Sequence, residues 1–186
     1  MAKTPSNMLT LGTQAPLFSL LNVINKQTFS LSVDPNYQAT LIMFICNHCP
    51  YVKHINPELV RLANNYQDKS IRLIAINSND ADKYPDDSPE NMKKTALLEQ
   101  YPFPYLYDET QEVAHAYHAA CTPDFYLFDA KLSLVYRGQL DDARPGNQIE
   151  VTGTYLRQAI NQVLAHLPIT VEQKPSLGCN IKWKHL

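Results

Sequence analysis

The run Cys46-Asn47-His48-Cys49 follows the apolar stretch Ala39-Thr40-Leu41-Ile42-Met43-Phe44-Ile45. Two thiols three residues apart, at the junction of an apolar strand and a helix, are placed to act as a reactive dithiol. A helix N-terminus presents unpaired N–H groups and a partial positive charge, which stabilise a thiolate on the first cysteine. The second cysteine lies one helical turn on, on the same side, close enough to close a small disulfide. The turn is expected to leave the first sulfur at the surface, within reach of another molecule. The chemistry implied is thiol–disulfide exchange. The Cys46 thiolate attacks a partner's disulfide, and Cys49 then attacks Cys46, releases the reduced partner and leaves Cys46–Cys49 oxidised.

A bare C-x-x-C also serves as half of a zinc site. A tetrahedral site needs about four ligands, and the chain has no second C-x-x-C. His115 and His118, three apart, are a pair that could complete one, but they read more simply as solvated helix residues. No metal and no cofactor are expected. His48 precedes the second cysteine, where an imidazole can stabilise the Cys46 thiolate by charge or hydrogen bonding and so lower its pKa. The simpler alternative is an exposed ring with no electronic effect. Cys179 lies near the C-terminal end between Gly178 and Lys182, close to Trp183. Either this tail folds over the dithiol and offers a further thiol for exchange, or it is a strap packed by Ile181 and Trp183; the strap is the simpler reading.

The elements that must position these groups follow from pattern. Leu17–Leu21 and Thr28–Leu31 read as a short hairpin, and 39–45, apolar without alternation, as a strand covered on both faces. Val52, Ile55, Leu59, Leu62 and Tyr66 recur at helical spacing. Pro57 lies inside that helix, which is expected to kink there or to restart with Asn56 as cap. Ile71–Ile76 is a second buried strand, giving a βαβ unit. A polar loop from Asn77 ends in Ser88-Pro89-Glu90, a helix start, and Pro89–Gln100 follows as a helix. Phe103–Tyr107 is a short strand and Glu109–His118 a helix. Phe125–Phe128 and Ser133–Tyr136 form an antiparallel hairpin, and Val151–Leu167 a last amphipathic helix. Residues 168–186 look extended and irregular.

This order is the layout of an α/β thioredoxin-like fold: a central mixed β-sheet flanked by helices, with an N-terminal β-hairpin and a C-terminal extension. The expected organisation is one domain over 1–167 and a tail, 168–186, packed on or near it. At 45% hydrophobic and 18% charged residues the chain can bury an ordinary core. A net charge of −2 offers no basic patch, so nucleic acid is not an expected partner. The first twenty residues carry one lysine and no continuous apolar run, and no stretch approaches the ~20 apolar residues of a membrane span. A cytoplasmic location is therefore expected, where cysteines are mostly thiols and a disulfide is more often catalytic than structural.

Three blocks resemble the redoxin group of thioredoxin-like proteins, the alkyl hydroperoxide reductase/thiol-specific antioxidant family. They are Gly12-Thr13-Gln14-Ala15-Pro16-Leu17-Phe18-Ser19-Leu20, Cys46 to Pro50, and Thr122-Pro123-Asp124-Phe125-Tyr126-Leu127-Phe128-Asp129. The run C-N-H-C-P-Y-V, the loop Asn77-Ser78-Asn79-Asp80, the run Asp141-Asp142-Ala143-Arg144-Pro145-Gly146-Asn147 and the tail Gly178-Cys179-Asn180-Ile181-Lys182-Trp183 are similar to a bacterial C-N-H-C subgroup. The resemblance implies a cis Pro123, with Thr122 offering backbone hydrogen bonds to an extended substrate. It also places Cys121 near the dithiol, as a third redox thiol or, more simply, as a small buried residue. Asp141, Asp142 and Arg144 would rim the site, or form a solvated turn. Implied partners are a disulfide-containing protein or small disulfide, and a reductant such as a thioredoxin reductase or a low-molecular-weight thiol. Two departures stand out. Many thioredoxins carry a buried aspartate six residues before the first cysteine, where this chain has Thr40. The family's peroxidases carry P-x-x-x-T-x-x-C, where this chain has Ile42 and Cys46 before Cys49. A thiol peroxidase is therefore the alternative reading, and a non-enzymatic redox sensor a third.

Overall fold

The computed structural model describes residues 3–184. In chain order its elements are β1 (Lys3–Pro5), β2 (Ser19–Asn22), β3 (Thr28–Ser30), β4 (Ala39–Phe44), α1 (Pro50–Tyr66) and β5 (Ile71–Asn77). After a 3-10 turn at Pro85–Asp87 come α2 (Pro89–Leu98), β6 (Tyr105–Tyr107), α3 (Glu112–Ala116) and β7 (Cys121–Thr122). The chain closes with β8 (Asp124–Asp129), β9 (Leu134–Gly138), α4 (Thr154–Leu164) and β10 (Leu177–Asn180).

All six residues of β4 are buried, which requires cover on both faces of the sheet. It lies inside a seven-stranded mixed sheet of order β3-β2-β6-β5-β4-β8-β9, parallel to β5 and antiparallel to β8. Strand alternation sends Leu41 and Met43 to one face, where they pack with Val52, Ile55 and Leu59 of α1 and Leu156 and Ile160 of α4. Ile42 and Phe44 point to the other face, onto Val113 and Ala114 of α3 and the ring of Tyr117. The first hairpin joins the sheet edge through β2 on β6. Among the described residues no helix is long and apolar enough to cross a membrane.

Four sequence expectations change. α1 runs unbroken through Pro57, with no restart at Asn56. A helix-interior proline costs about 3 kcal/mol, whereas each large apolar side chain buried from this helix returns about 1.5–3 kcal/mol, and Val52, Ile55, Leu59 and Leu62 are all buried. Buried polar groups also fix the turn: Asn56 Oδ1 accepts from Tyr101 Oη at 2.9 Å, and Glu58 accepts from Arg61 Nε and from Arg157 Nε of α4, each at 2.8 Å. α3 is shorter than its pattern, beginning after Gln111 at φ 65. α4 starts at Thr154, after Gly153 at φ 68, and ends at Leu164.

The fourth change is the tail, which is not irregular. β10 is the middle strand of a three-stranded sheet, β1-β10-β7, antiparallel to both neighbours. Its register sets Cys179 opposite Lys3 on one side and Thr122 on the other. Gly178 permits this approach, since a Cβ there would stand 2.0 Å from the Thr122 carbonyl oxygen. Beyond the strand Ile181 is buried, and Trp183 stacks on His115 with ring centroids 4.2 Å apart.

Candidate active site

Four elements meet at the dithiol. Cys46 ends the segment leaving β4, Cys49 caps α1, the end of β7 and the residue after it bring Thr122 and Pro123, and β10 brings Cys179. The Thr122–Pro123 peptide is cis. Cys46 Sγ and Thr122 Oγ1 share a hydrogen bond of 3.1 Å. Cys49 Sγ lies 3.3 Å from the Thr122 carbonyl oxygen and 2.8 Å from Cys179 Sγ. All four cysteines are thiols, and all are buried.

Two expectations about the motif are corrected. Cys46 is not at the surface: it is 2% exposed and Cys49 0%. The helix begins at Pro50 with Cys49 as its N-cap, because the turn through Asn47 and His48 is not helical. The positive end of α1 therefore bears on Cys49 more than on Cys46. The Cys49 thiol is lowered to about 5, chiefly by the hydrogen bond from Cys46 and, against the opposing effect of burial, by a second from Cys179. Cys46 is raised, first by burial, then by giving its proton to Cys49 and by the charge of Asp87. Burial, and its hydrogen bond to Cys49, push Cys179 up to about 12. The three sulfurs influence one another, so the titration belongs to the group rather than to any single cysteine.

The sequence reading missed Asp87. This carboxylate is fully buried and accepts from the Asn47 N–H at 2.7 Å, Asn77 Nδ2 at 3.1 Å, Asn79 Nδ2 at 2.9 Å and His48 Nδ1 at 2.5 Å. Burial pushes its pKa up, but the bonds from His48, Asn79 and Asn47 outweigh that and hold it below the usual range. His48 therefore does not touch the Cys46 sulfur as expected. It pairs with Asp87 and stacks on Tyr84. Its Nε2 is buried without a partner, which assigns the ring proton to Nδ1, facing Asp87. Asn79 also accepts from the Lys182 N–H at 2.8 Å, tying this network to the tail. The only sequence signal was the run Asn77-Ser78-Asn79-Asp80, polar yet directly after a buried strand.

Cys46, His48 and Asp87 bring three potential metal-ligating atoms within 4.8 Å of one another. The imidazole and carboxylate already satisfy each other there, and zinc takes about four ligands. Thr122 lies beside the dithiol as expected, but β10 pairs along its strand, so the chain's own tail occupies an edge expected for a substrate. Cys121 is fully buried and its thiol is raised, first by burial and then by Asp124. His115 and His118 are both exposed, but only His115 lies on α3; His118 follows the helix at φ 52. Asp141 organises its own loop, accepting from the N–H groups of Ala143, Thr152 and Gly153.

Thr40, in place of the aspartate of many thioredoxins, accepts from Arg72 Nε at 3.0 Å. A different buried acid, Asp124, follows the cis-proline. Burial raises its pKa to about 7, against hydrogen bonds from the Tyr126 hydroxyl and the Phe125 N–H. In the unfolded chain it titrates near ~4. Between those values the folded state holds a proton that the unfolded state has lost, so this group lowers stability as pH rises. Urea titrations from pH 4 to 7 should show that decline in the wild type and a flatter profile in Asp124→Asn. Equal slopes would show that Asp124 is ionised in the fold across the range.

A dithiol that leaves the central strand of a mixed sheet and faces a cis-proline makes this a thioredoxin-like protein. The chain belongs to the AhpC/TSA family, whose model matches residues 11–137. An uncharacterized conserved protein from Geobacillus kaustophilus is 60% identical, with a TM-score of 0.97 over 100% of this chain and 98% of that one. A hypothetical protein from Sinorhizobium meliloti is 45% identical, with a TM-score of 0.95 over 98% of this chain and 100% of that one. The fold is shared with a thiol:disulfide interchange protein from Chlorobium tepidum, at 16% identity and a TM-score of 0.64, covering 83% and 98% of the two chains. No curated protein matches the chain. Family and fold together place it among thiol-based redox proteins of the oxidoreductase or peroxidase kind.

Proposed function

We propose that the protein is a thiol–disulfide oxidoreductase in which Cys46 attacks the partner and Cys49 resolves. The observation that carries this reading is the placement of both thiols on one residue of the cis-proline loop, Cys46 Sγ 3.1 Å from Thr122 Oγ1 and Cys49 Sγ 3.3 Å from Thr122 O. Cys46 opens the turn whose next residues, Asn47 and His48, are half-buried, whereas Cys49 stands at the start of α1 with no exposed surface. When the proton on Cys46 passes to Cys49, Cys46 becomes the thiolate, with the Thr122 hydroxyl to hold it. The protonated Cys49 then has the Thr122 carbonyl as acceptor.

Cys46 S⁻ attacks one sulfur of the partner disulfide, a Cys46–partner disulfide forms, and the other partner sulfur leaves as a thiolate. Cys49 S⁻ next attacks Cys46, expelling the second partner thiolate. The partner gains two electrons and the dithiol loses two; the single proton of the Cys46 thiolate/Cys49 thiol pair passes from Cys49 to a released partner sulfur, so the partner leaves as one thiol and one thiolate. With Cys46 only 2% exposed, the substrate class that fits is a small or extended disulfide, and a low-molecular-weight thiol or a reductase would restore the dithiol.

One paired measurement tests this: reduction of insulin and of a small aromatic disulfide, against consumption of hydrogen peroxide, by the same protein with the same dithiol donor. Multiple turnovers with disulfides and a peroxide rate near that of a free thiol are expected, because neither Ile42 nor Cys46 can orient a peroxide as the peroxidase motif does. Fast peroxide turnover without disulfide reduction would make the protein a peroxidase. A single reversible oxidation without turnover of either would make it a sensor.

A further inference from the structure

Cys179 reaches the dithiol from the far end of the chain. It is separated from Cys49 by 130 positions, yet the two sulfurs stand 2.8 Å apart. Moving them together by about 0.75 Å would give a covalent S–S bond of ~2.05 Å. The approach is built in from several sides. Gly178 lets the β10 backbone press on the Thr122 carbonyl. The Ile181 N–H is held by Ala120 O at 3.1 Å, and the Lys182 N–H by Asn79 Oδ1 at 2.8 Å. Cys179 is 2% exposed. Cys49 thus has a thiol partner on each side, one toward the outer turn and one in the tail.

We propose that Cys179 is a third redox thiol: it attacks Cys49 in the Cys46–Cys49 disulfide, forms a Cys49–Cys179 disulfide, and returns Cys46 to the thiol state. The inference rests on the disulfide-exchange reading above and extends it. In this step the Cys46–Cys49 bond breaks as the Cys49–Cys179 bond forms. The Cys46 sulfur takes the electron pair and the proton that Cys179 gives up, so no outside oxidant or reductant is needed. The tail is then fastened covalently across the Thr122 edge. By contrast, Cys121 contacts the Pro123 carbonyl oxygen at 3.8 Å and has no such sulfur partner.

The test is to oxidise the full chain with one equivalent of diamide, quench in acid, alkylate with N-ethylmaleimide and map the peptides. In the wild type we expect a Cys49–Cys179 linked peptide with Cys46 alkylated. A non-reducing gel should show a faster band, because the new loop spans 130 positions instead of three. The Cys46→Ser protein, with three of the four cysteines left, should fall from three titratable thiols to one and give the same linked peptide. Cys179→Ser should give only Cys46–Cys49 and no faster band. If the wild type yields Cys46–Cys49 alone and Cys46→Ser keeps its three thiols, the proposal is wrong. Insulin reduction by the wild type reports separately on the oxidoreductase reading, so either idea can fail without the other. Should Cys46→Ser not fold, the peptide map and gel of the wild type decide alone.

Discussion

Cys46→Ser should lower disulfide turnover by more than about a thousandfold, the scale expected when a nucleophile is removed, while Cys49→Ser should stall with the partner attached. The two variants remove chemically equal thiols that the structure makes unequal. Cys46 is raised by burial and by the Asp87 charge. Cys49 is lowered to about 5 and caps α1. Serine is among the best N-cap residues, so Cys49→Ser should fold, and its loss should be chemical. Incubation with a model disulfide, followed by intact mass spectrometry, should find a persistent adduct on Cys46 in Cys49→Ser and none in Cys46→Ser. An adduct on Cys49 in the Cys46→Ser protein, with turnover retained, would reverse the two roles.

Asp87→Ala should destabilise the fold by about 3 kcal/mol, the upper end for leaving a buried hydrogen-bonding group without its partner. The substitution strands the Asn47 N–H, the Asn77 and Asn79 amides and His48 Nδ1 around a missing acceptor. The folded pKa of Asp87 is depressed, so the unfolded state binds its proton first on acidification. Its contribution is complete above about pH 4, near the unfolded carboxylate value, and is lost as pH falls through the lower folded value. Chemical unfolding should therefore show the full deficit at pH 7 and a smaller one toward pH 3. A deficit independent of pH would mean that lost packing, rather than lost charge, accounts for it. The same variant should lower the Cys46 thiol, visible as an earlier midpoint in the pH dependence of its alkylation.

The fold was legible where burial alone dictates structure. The unalternated run of β4 and the helical spacing of α1 identify the central unit, and the order of later elements identifies the class. What escaped was set by partners distant in sequence. Pro57 reads as a break because only Tyr101, Arg157 and the core beneath keep that turn in place. β10 reads as irregular because a strand of Leu-Gly-Cys-Asn has no pattern of its own. It forms because β1 and β7 present two edges and Gly178 fits between them. At the site, C-x-x-C and Thr122-Pro123 were visible, but how the thiols shift one another was not. That depends on Cys179, 130 positions away, and on Asp87, an acid in a polar loop with nothing local to mark it as buried. His48 was found for its chemistry, and its partner was then misjudged for the same reason.

Trp183, the one tryptophan of the chain, stacks on His115 just beyond β10. An indole against an imidazole is an optical probe sited where the tail meets the body. Its emission should respond to release of the strap without any label. The protein therefore carries its own fluorometer for the tail, one that can follow reduction and oxidation in real time and in cuvette volumes.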